Sequence, residues 1–186
     1  DLSENHTSIQ VFRVGANEAI ELFQSSNSAF VPDDISNMKI LNYVDSYVNE
    51  FFFADKIIIV EGDTEYIVLK HLIKEDNLNI HVIRARGKST ICTLMKILNQ
   101  FNTQYYILHD VDNHNGFDEK TLKAQLTNCR KLLKLKTDKC RIFASVANFE
   151  QAIGIGDVSD NKKTETIYKI MYGEASQEIK EKIHSL

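Results

Sequence analysis

Residues 56–65 read KIIIVEGDTE, and this stretch decides the fold of the chain. A continuous β-branched run that ends in Glu-Gly and turns into a helix start is typical of a buried parallel strand. Such strands place functional side chains at their carboxyl ends in α/β proteins. Gly62 permits a tight turn there, and Glu65 falls in the first turn of the predicted helix. Glu61 and Glu65 can therefore converge on one point, although ordinary helix-start acids show the same pattern.

A second apolar run, residues 105–108, also leads into acids, here Asp110 and Asp112. Their i, i+2 spacing puts both side chains on one side of an extended segment. If the helical segments in between make this strand parallel to the first, both acidic tips emerge at the same edge of the sheet. Like charges that close repel, so such a cluster normally holds a divalent cation with hard oxygen ligands. Solvated loop acids are the alternative interpretation.

Two further β-rich runs, residues 80–84 and 141–146, complete the predicted sheet, and Glu150 follows the last of them. Helical periodicity separates the strands at residues 64–74, 91–101 and 119–133. We therefore expect an α/β fold with a central, mainly parallel sheet of about four strands, flanked by helices and preceded by an N-terminal helical appendage.

Residues 51–65, FFFADKIIIVEGDTE, resemble the FADKVILVEGxTE run of the OLD-family (overcoming-lysogenization-defect) nucleases. The order of Glu-Gly, strand-helix unit and strand ending in Asp-x-Asp resembles the Toprim domain of topoisomerases, primases and several nucleases. The resemblance covers roughly residues 54–186 and implies a Toprim/Rossmann-like fold. OLD-family proteins are ATPase–Toprim fusions. The resemblance thus implies that residues 1–54 form an ATPase exit strand and an amphipathic linker helix, before a Toprim-like catalytic domain at 55–186.

The resemblance also implies an activity, that of a metal-dependent DNA endonuclease that nicks DNA or cuts both strands. Two ions, Mg²⁺ or Mn²⁺, would support phosphodiester hydrolysis. The expected metal ligands are the five acids near the strand ends, with Glu61 also catalytic: Glu61, Glu65, Asp110, Asp112 and Glu150. A lysine in a polar loop would stabilise the scissile phosphate, and it corresponds to Lys163 or, less well, Lys162. The family often has Lys-Pro there, whereas this chain has Lys163-Thr164.

The implied partners are DNA and an N-terminal ATPase domain in the full-length chain, with a homo-oligomer also open. The implied setting is a phage-defence or DNA-processing enzyme of the cytoplasm. Two other functions compete with the endonuclease. One is a non-catalytic Toprim-like module that binds DNA or a partner, or dimerises. The other is a phosphatase of the haloacid-dehalogenase type, in which Asp110 and Asp112 would be nucleophile and acid. That phosphatase pattern has Thr or Val where this chain has His114.

The turn at residues 85–89, ARGKS, is similar to the end of a phosphate-binding loop. It lacks the first glycine of G-x-x-x-x-G-K, since Val82 stands at that position, so we expect no nucleotide bound by this chain. Lys88, with Arg84 and Arg86, could instead contact the phosphate backbone of DNA. Simple turn chemistry, with Ser89 capping the next helix, is equally open.

Composition favours a globular domain with one substantial core, because 43% of the 186 residues are hydrophobic. A net charge of −4 argues against DNA binding by bulk electrostatics, although bound divalent cations would reverse the local field. The three cysteines lack CxxC spacing and are predicted to be reduced core residues. The sequence has no 18-residue apolar stretch and no signal peptide, so no membrane association is expected. The first residue, Asp1, suggests an excised or processed chain.

Several local expectations concern the remaining segments. Residues 8–14 alternate like a strand, and residues 17–23 suggest a short helix. Apolar residues recur at helical spacing over 36–53, which predicts a helix that packs on the domain or pairs with a partner. His109 and His114 are interpreted as solvent-exposed histidines that flank the acids, and residues 176–184 as a closing surface helix.

Overall fold

The computed structural model of the chain describes residues 12–14, 19–21, 31–44, 50–51, 53–54, 56–101, 103–113, 117–156, 158–159 and 162–186. The elements follow one another along the chain as β1 (Phe12–Val14), β2 (Ala19–Glu21), α1 (Pro32–Val44), β3 (Ile57–Val60), α2 (Asp63–Glu75), β4 (His81–Arg84), α3 (Lys88–Gln100), β5 (Tyr105–Asp110), α4 (Glu119–Leu135), β6 (Cys140–Ser145), α5 (Phe149–Ala152), α6 (Lys163–Tyr172) and α7 (Glu174–His184).

A four-stranded sheet with the order β4-β3-β5-β6 forms the centre of the fold. All three strand pairings are parallel, and Ile57 lies opposite both His81 and Tyr105. The predicted α/β fold with a parallel sheet of about four strands is confirmed. Because Val60 lies opposite Leu108, the carboxyl ends of β3 and β5 meet at one edge of the sheet, as the sequence predicted.

Successive residues of β3 point to opposite faces, and each face has its own core. Ile57 and Ile59 pack in a cluster with residues of α3, together with Tyr105 and Leu132. Ile58 and Val60 pack in the second cluster, with residues of α2, α6 and α7. Helices therefore cover both faces of the sheet, which explains why all four residues of β3 are buried and apolar.

Residues before the sheet also contribute to the core. Phe51 is 1% exposed within the α3 side of the core, and Met38 of α1 packs against the same cluster. The carboxylate of Asp34 accepts hydrogen bonds from Thr93 and Lys96 of α3. The helix predicted over 36–53 is observed as α1, which begins earlier, at Pro32, and is described to Val44. It packs on the domain, while residues 45–49 lie outside the described residues.

One local prediction at the N-terminus is wrong. Residues 17–23 were expected to include a short helix, but β2 occupies Ala19–Glu21 and pairs antiparallel with β1. Of the strand expected over residues 8–14, the part at Phe12–Val14 is observed as β1, and residues 8–11 lie outside the described residues. Backbone pairing between two short segments thus overrides the weak helical preference of the second.

The cysteines are free thiols, with Cys140 buried and Cys92 and Cys129 partly buried. Burial raises the pKa of all three thiols, in keeping with reduced side chains that serve packing. In the part of the chain that the structure describes, no helix is both long and apolar enough to cross a bilayer.

Candidate functional site

The acids after β3 and β5 lie side by side at the carboxyl edge of the sheet. The N–H of Glu61 donates to the carbonyl oxygen of Leu108 at 3.2 Å, which extends the strand pairing by one residue. The N–H of Asp110 in turn donates to Oε2 of Glu61, also at 3.2 Å. The Glu61 carboxylate therefore lies across the tip of β5.

An open cleft of about 1040 Å³ lies above this edge. All five predicted metal ligands line the cleft: Glu61, Glu65, Asp110, Asp112 and Glu150. The two candidate lysines, Lys162 and Lys163, and Arg86 also line it. Neighbouring polar residues that the sequence analysis did not single out, Asp63, Asn148 and Ser159, line it as well. The topology thus brings together side chains that are up to about a hundred positions apart in sequence.

Glu65 turns back from the first turn of α2 towards the end of β3. Its side chain is buried, with the residue 4% exposed. Gly62 makes this approach possible, because a Cβ there would lie 2.9 Å from Oε2 of Glu65. Gly62 itself has an extended backbone that other residues can adopt, so glycine matters here for the close approach of Glu65.

Crowding of these carboxylates changes how readily they ionise. Burial, and then the charges of Glu150, Glu61 and Asp63, raises the pKa of Glu65 to about 7. Burial, followed by the charge of Glu65 and its neighbours, raises the pKa of Asp110 to about 8. Oδ1 of Asp110 is buried and has no hydrogen-bond partner among the described residues. The site therefore holds more negative charge than its protein surroundings neutralise.

Lys88, the first residue of α3, inserts its ammonium group among the acids. Its Nζ lies 3.1 Å from both carboxylate oxygens of Glu61 and 2.5 Å from Oδ2 of Asp112. Burial lowers the pKa of Lys88, but the hydrogen bond to Asp112 and the charge of Glu61 outweigh this effect and raise the pKa above its usual value. Lys88 therefore stays charged and neutralises part of the cluster.

The opposite wall of the cleft is formed by the segment after β6. Asn148 caps the short helix α5 by accepting a hydrogen bond from the N–H of Gln151 at 2.9 Å, and Glu150 lies in the first turn. Lys163 was expected in a polar loop, but it is the first residue of α6 and is exposed. The buried pair Thr166 and Ile170, four residues apart, marks this helix and was overlooked in the sequence.

Comparison with known proteins assigns the central part of this architecture. Residues 52–112 match the family model of the overcoming lysogenization defect protein-like TOPRIM domain. Residues 52–112 are therefore similar to an OLD-like TOPRIM domain. The matched residues include β3 to β5 and carry Glu61, Glu65, Lys88, Asp110 and Asp112.

Among solved structures, the chain is similar to the C-terminal region of the Burkholderia pseudomallei OLD protein. The sequence identity is 18% and the TM-score 0.39, and the match covers 70% of this chain and 80% of that chain. No curated protein matches the sequence.

The three basic residues predicted to contact DNA occupy different positions in the matched segment. Arg84 donates to Oδ1 of Asp63 at 2.6 Å, and its guanidinium lies 5.3 Å from the centre of the Tyr66 ring. Arg86 is exposed on the wall of the cleft. Lys88 is buried beneath it, against the acids. In this arrangement Arg86 alone of the three faces the open cleft.

His109, which lies in the matched segment, corrects another expectation. It was interpreted as solvent-exposed, but it is 3% exposed. Its Nδ1 lies 2.9 Å from the carbonyl oxygen of Asp110, and burial lowers the pKa of the imidazole. The strand β5 continues through Asp110, so His109 belongs to the sheet rather than to the loop after it. His114 lies outside the described residues.

The donor chemistry of the cleft fits a hard divalent cation, because the polar lining is rich in carboxylate oxygens and one of them, Oδ1 of Asp110, is buried without a partner among the described residues. The carboxylates are nevertheless not arranged around one point. Among the described residues, no three His, Cys, Asp or Glu side chains form a group that could hold a metal ion. One reason is that the Lys88 ammonium group contacts both Glu61 and Asp112.

Proposed function

We propose that this chain is the nuclease part of a divalent-metal-dependent DNA endonuclease that hydrolyses phosphodiester bonds. The observation that carries the proposal is the convergence of five carboxylates and two exposed lysines on one open cleft. The family match supports it, because the matched segment contains four of the five acids. A phosphodiester backbone is an extended substrate, and an open cleft at a sheet edge can admit it.

Glu61, Asp110 and Asp112 would hold the metal, with Glu65 and Glu150 completing the ligands of two ions. Mg²⁺ and Mn²⁺ match these hard oxygen donors. When bound, such ions activate a water molecule and stabilise the leaving oxygen of a phosphodiester. The raised pKa values of Glu65 and Asp110 support the assignment, since a cation would relieve the repulsion that raises them.

Lys163 would stabilise negative charge on the scissile phosphate. It is exposed at the start of α6 and lines the cleft, so its flexible ammonium can approach a bound phosphate. Lys162 precedes it on the same wall and is the alternative. Arg86 would hold the phosphate backbone beside the reacting group, while Arg84 and Lys88 would act mainly through the acids that they contact.

We further propose that the chain works within a longer ATPase–TOPRIM protein of phage defence or DNA processing in the cytoplasm. Residues 1–54 would connect the ATPase to the catalytic domain at 55–186. A net charge of −4 supports this proposal, because another domain or a second copy would then supply much of the electrostatic attraction for DNA.

The experiment is cleavage of supercoiled plasmid in Mg²⁺, Mn²⁺ or EDTA by the wild-type chain and by Asp110→Asn. A matched control is Glu178→Gln, which removes an exposed carboxylate on α7, outside the cleft. We expect metal-dependent nicking or linearisation by the wild type and the control, and a loss of at least a hundredfold in Asp110→Asn. Cleavage in EDTA, or equal cleavage by Asp110→Asn, would contradict the proposal.

A further inference from the structure

The ammonium group of Lys88 lies among the carboxylates that the proposed function assigns to metal binding. Its Nζ contacts both oxygens of Glu61 at 3.1 Å and Oδ2 of Asp112 at 2.5 Å. The side chain is only 3% exposed, so solvent screens these charges weakly. Lys88 thus neutralises Glu61 and Asp112 from inside the protein.

The backbone on both sides of this contact is held in unusual conformations. Gly87 has a φ of +122° and Arg86 a φ of +60°, which turns the chain into α3 so that Lys88 enters the cluster. Asp112 has a φ of +56°, and its N–H donates to the carbonyl oxygen of Ala147 at 2.9 Å. Such conformations persist only where the surroundings fix them, so the contact is a built feature of the fold.

We propose that Lys88 is an intramolecular counter-ion that takes the place of a divalent cation between Glu61 and Asp112, and that metal binding displaces its ammonium group. This inference rests on the proposed metal-dependent function and adds a residue that regulates metal binding. An ammonium group competes with a metal for the lone pairs of the oxygens that it contacts, and two cations on the same acids repel each other. Lys88 pairing and metal coordination therefore compete.

The acids line one cleft, but in the described part of the chain no three of them are arranged to hold one ion. A Lys88 ammonium group bound between Glu61 and Asp112 accounts for this difference. With Lys88 in place, the metal-free cleft is stabilised and Glu61 and Asp112 are held together. The same contact weakens metal binding, because it must be broken first. Lys88 is in this sense a positioning residue for the metal ligands.

The test compares wild type with Lys88→Met, which keeps the length of the side chain and removes its charge. Lys96→Met is the matched control, since the Lys96 ammonium pairs with Asp34 at 2.5 Å, is 15% exposed and lies outside the cleft. The measurements are calorimetric titration with Mn²⁺ and melting temperatures in EDTA and in Mn²⁺. We expect both variants to melt below wild type in EDTA. Lys88→Met should bind Mn²⁺ at least tenfold more tightly and regain more of its melting temperature in Mn²⁺, whereas Lys96→Met should bind Mn²⁺ like wild type.

The possible failures are distinguishable. Equal or weaker Mn²⁺ binding by Lys88→Met, with wild type binding normally, would overturn the counter-ion role and leave the metal-dependent function intact. Absence of Mn²⁺ binding in both proteins would overturn both.

A second measurement uses wild type alone and so does not depend on the folding of Lys88→Met. The ¹⁵N–¹H signal of a buried, paired lysine ammonium is protected from rapid exchange with solvent. We expect a protected Lys88 signal in EDTA that shifts and loses its protection as Mg²⁺ is added. A Lys88 signal unchanged at saturating Mg²⁺ would contradict displacement.

Discussion

The N–H of Asp110 donates a hydrogen bond to Oε2 of Glu61 at 3.2 Å, which joins the tips of β3 and β5. This hydrogen bond brings the half-buried side chains of Glu61 and Asp110 together. Burial and the charges of Glu65, Asp112 and further acids raise the pKa of Asp110 to about 8. The fold therefore holds mutually repelling carboxyl groups close together, which indicates a role in ligand binding rather than in stability.

Replacing Asp110 by Asn should separate stability from function. The substitution keeps the size of the side chain and removes a carboxyl whose ionisation the folded protein disfavours, so we expect the free energy of unfolding in EDTA at pH 7 to rise by about 1 kcal/mol. Metal binding measured by calorimetry should fall at least tenfold, because the buried Oδ1 is replaced or reoriented. Urea denaturation in EDTA checks the first expectation, and a decrease in the free energy of unfolding would contradict it.

Gly62→Ala should disturb Glu65 and leave the fold largely intact. The new Cβ would lie 2.9 Å from Oε2 of Glu65, which is the far end of a flexible side chain and can move away. We expect a change of less than about 1 kcal/mol in the free energy of unfolding, together with weaker metal binding. Calorimetry with Mn²⁺ and urea denaturation measure the two quantities on the same protein.

Gly173→Ala provides the contrasting control. A Cβ at Gly173, between α6 and α7, would clash with the backbone carbonyl oxygen of Lys169, which has no freedom to rotate away. This variant should lose about 1–3 kcal/mol of stability and keep wild-type metal affinity. If Gly62→Ala showed the pattern expected of Gly173→Ala, Glu65 would have no separate role in the cleft.

The sequence was sufficient to predict the sheet, because each strand carries a strong local signal. The apolar run 57–60 predicted β3, observed at Ile57–Val60, and the parallel arrangement followed from the helices between strands. The helix over residues 17–23 was predicted wrongly, since pairing between β1 and β2 depends on a contact that periodicity does not encode. The helix α6 was not predicted, because its N-cap residue, Lys162, makes no side-chain capping hydrogen bond and only Thr166 and Ile170 of the helix are buried.

The composition of the site was also predictable, but its internal contacts were not. Residue types and strand ends identified the acids that line the cleft. The pairing of Lys88 with Glu61 and Asp112 depends on the direction in which the loop after β4 turns, and two residues with positive φ set that direction. The sequence suggests Gly87 as such a position, but Arg86 carries no comparable signal in its residue type.

Asp34 should give the chain a stability that is lost in acid. Burial raises the pKa of its carboxyl, but the hydrogen bonds from Lys96, the Val31 N–H and Thr93 outweigh this effect and bring the pKa below the usual 3.8. A carboxyl whose pKa is lower in the folded state than in the unfolded state stabilises the fold above the unfolded pKa. We expect this contribution to disappear as the pH falls from about 4 through the lowered pKa of Asp34.

The check is the pH dependence of unfolding for wild type and Asp34→Asn. At pH 7 the variant should lose about 3 kcal/mol, because it leaves the partly buried Lys96 ammonium without its carboxylate partner. The difference between the two proteins should shrink as the pH falls below about 4, since the wild-type carboxyl is then protonated. A difference that stayed constant between pH 7 and pH 2.5 would rule out the Asp34–Lys96 ion pair as its source.

Phe51 should contribute to the stability of the core around the parallel sheet although it lies before the proposed domain boundary at residue 55. Its side chain is 1% exposed on the α3 side of the sheet, whereas Phe53, two positions later, is 86% exposed. We expect Phe51→Ala to lower the free energy of unfolding by about 3–5 kcal/mol through the lost apolar contacts and the cavity left behind. Phe53→Ala, the matched control, should change it by less than about 0.5 kcal/mol. Urea denaturation measures both, and similar values for the two variants would show that the core does not include Phe51. If the expected difference is observed, a fragment that begins at residue 55 should melt below one that begins at residue 31.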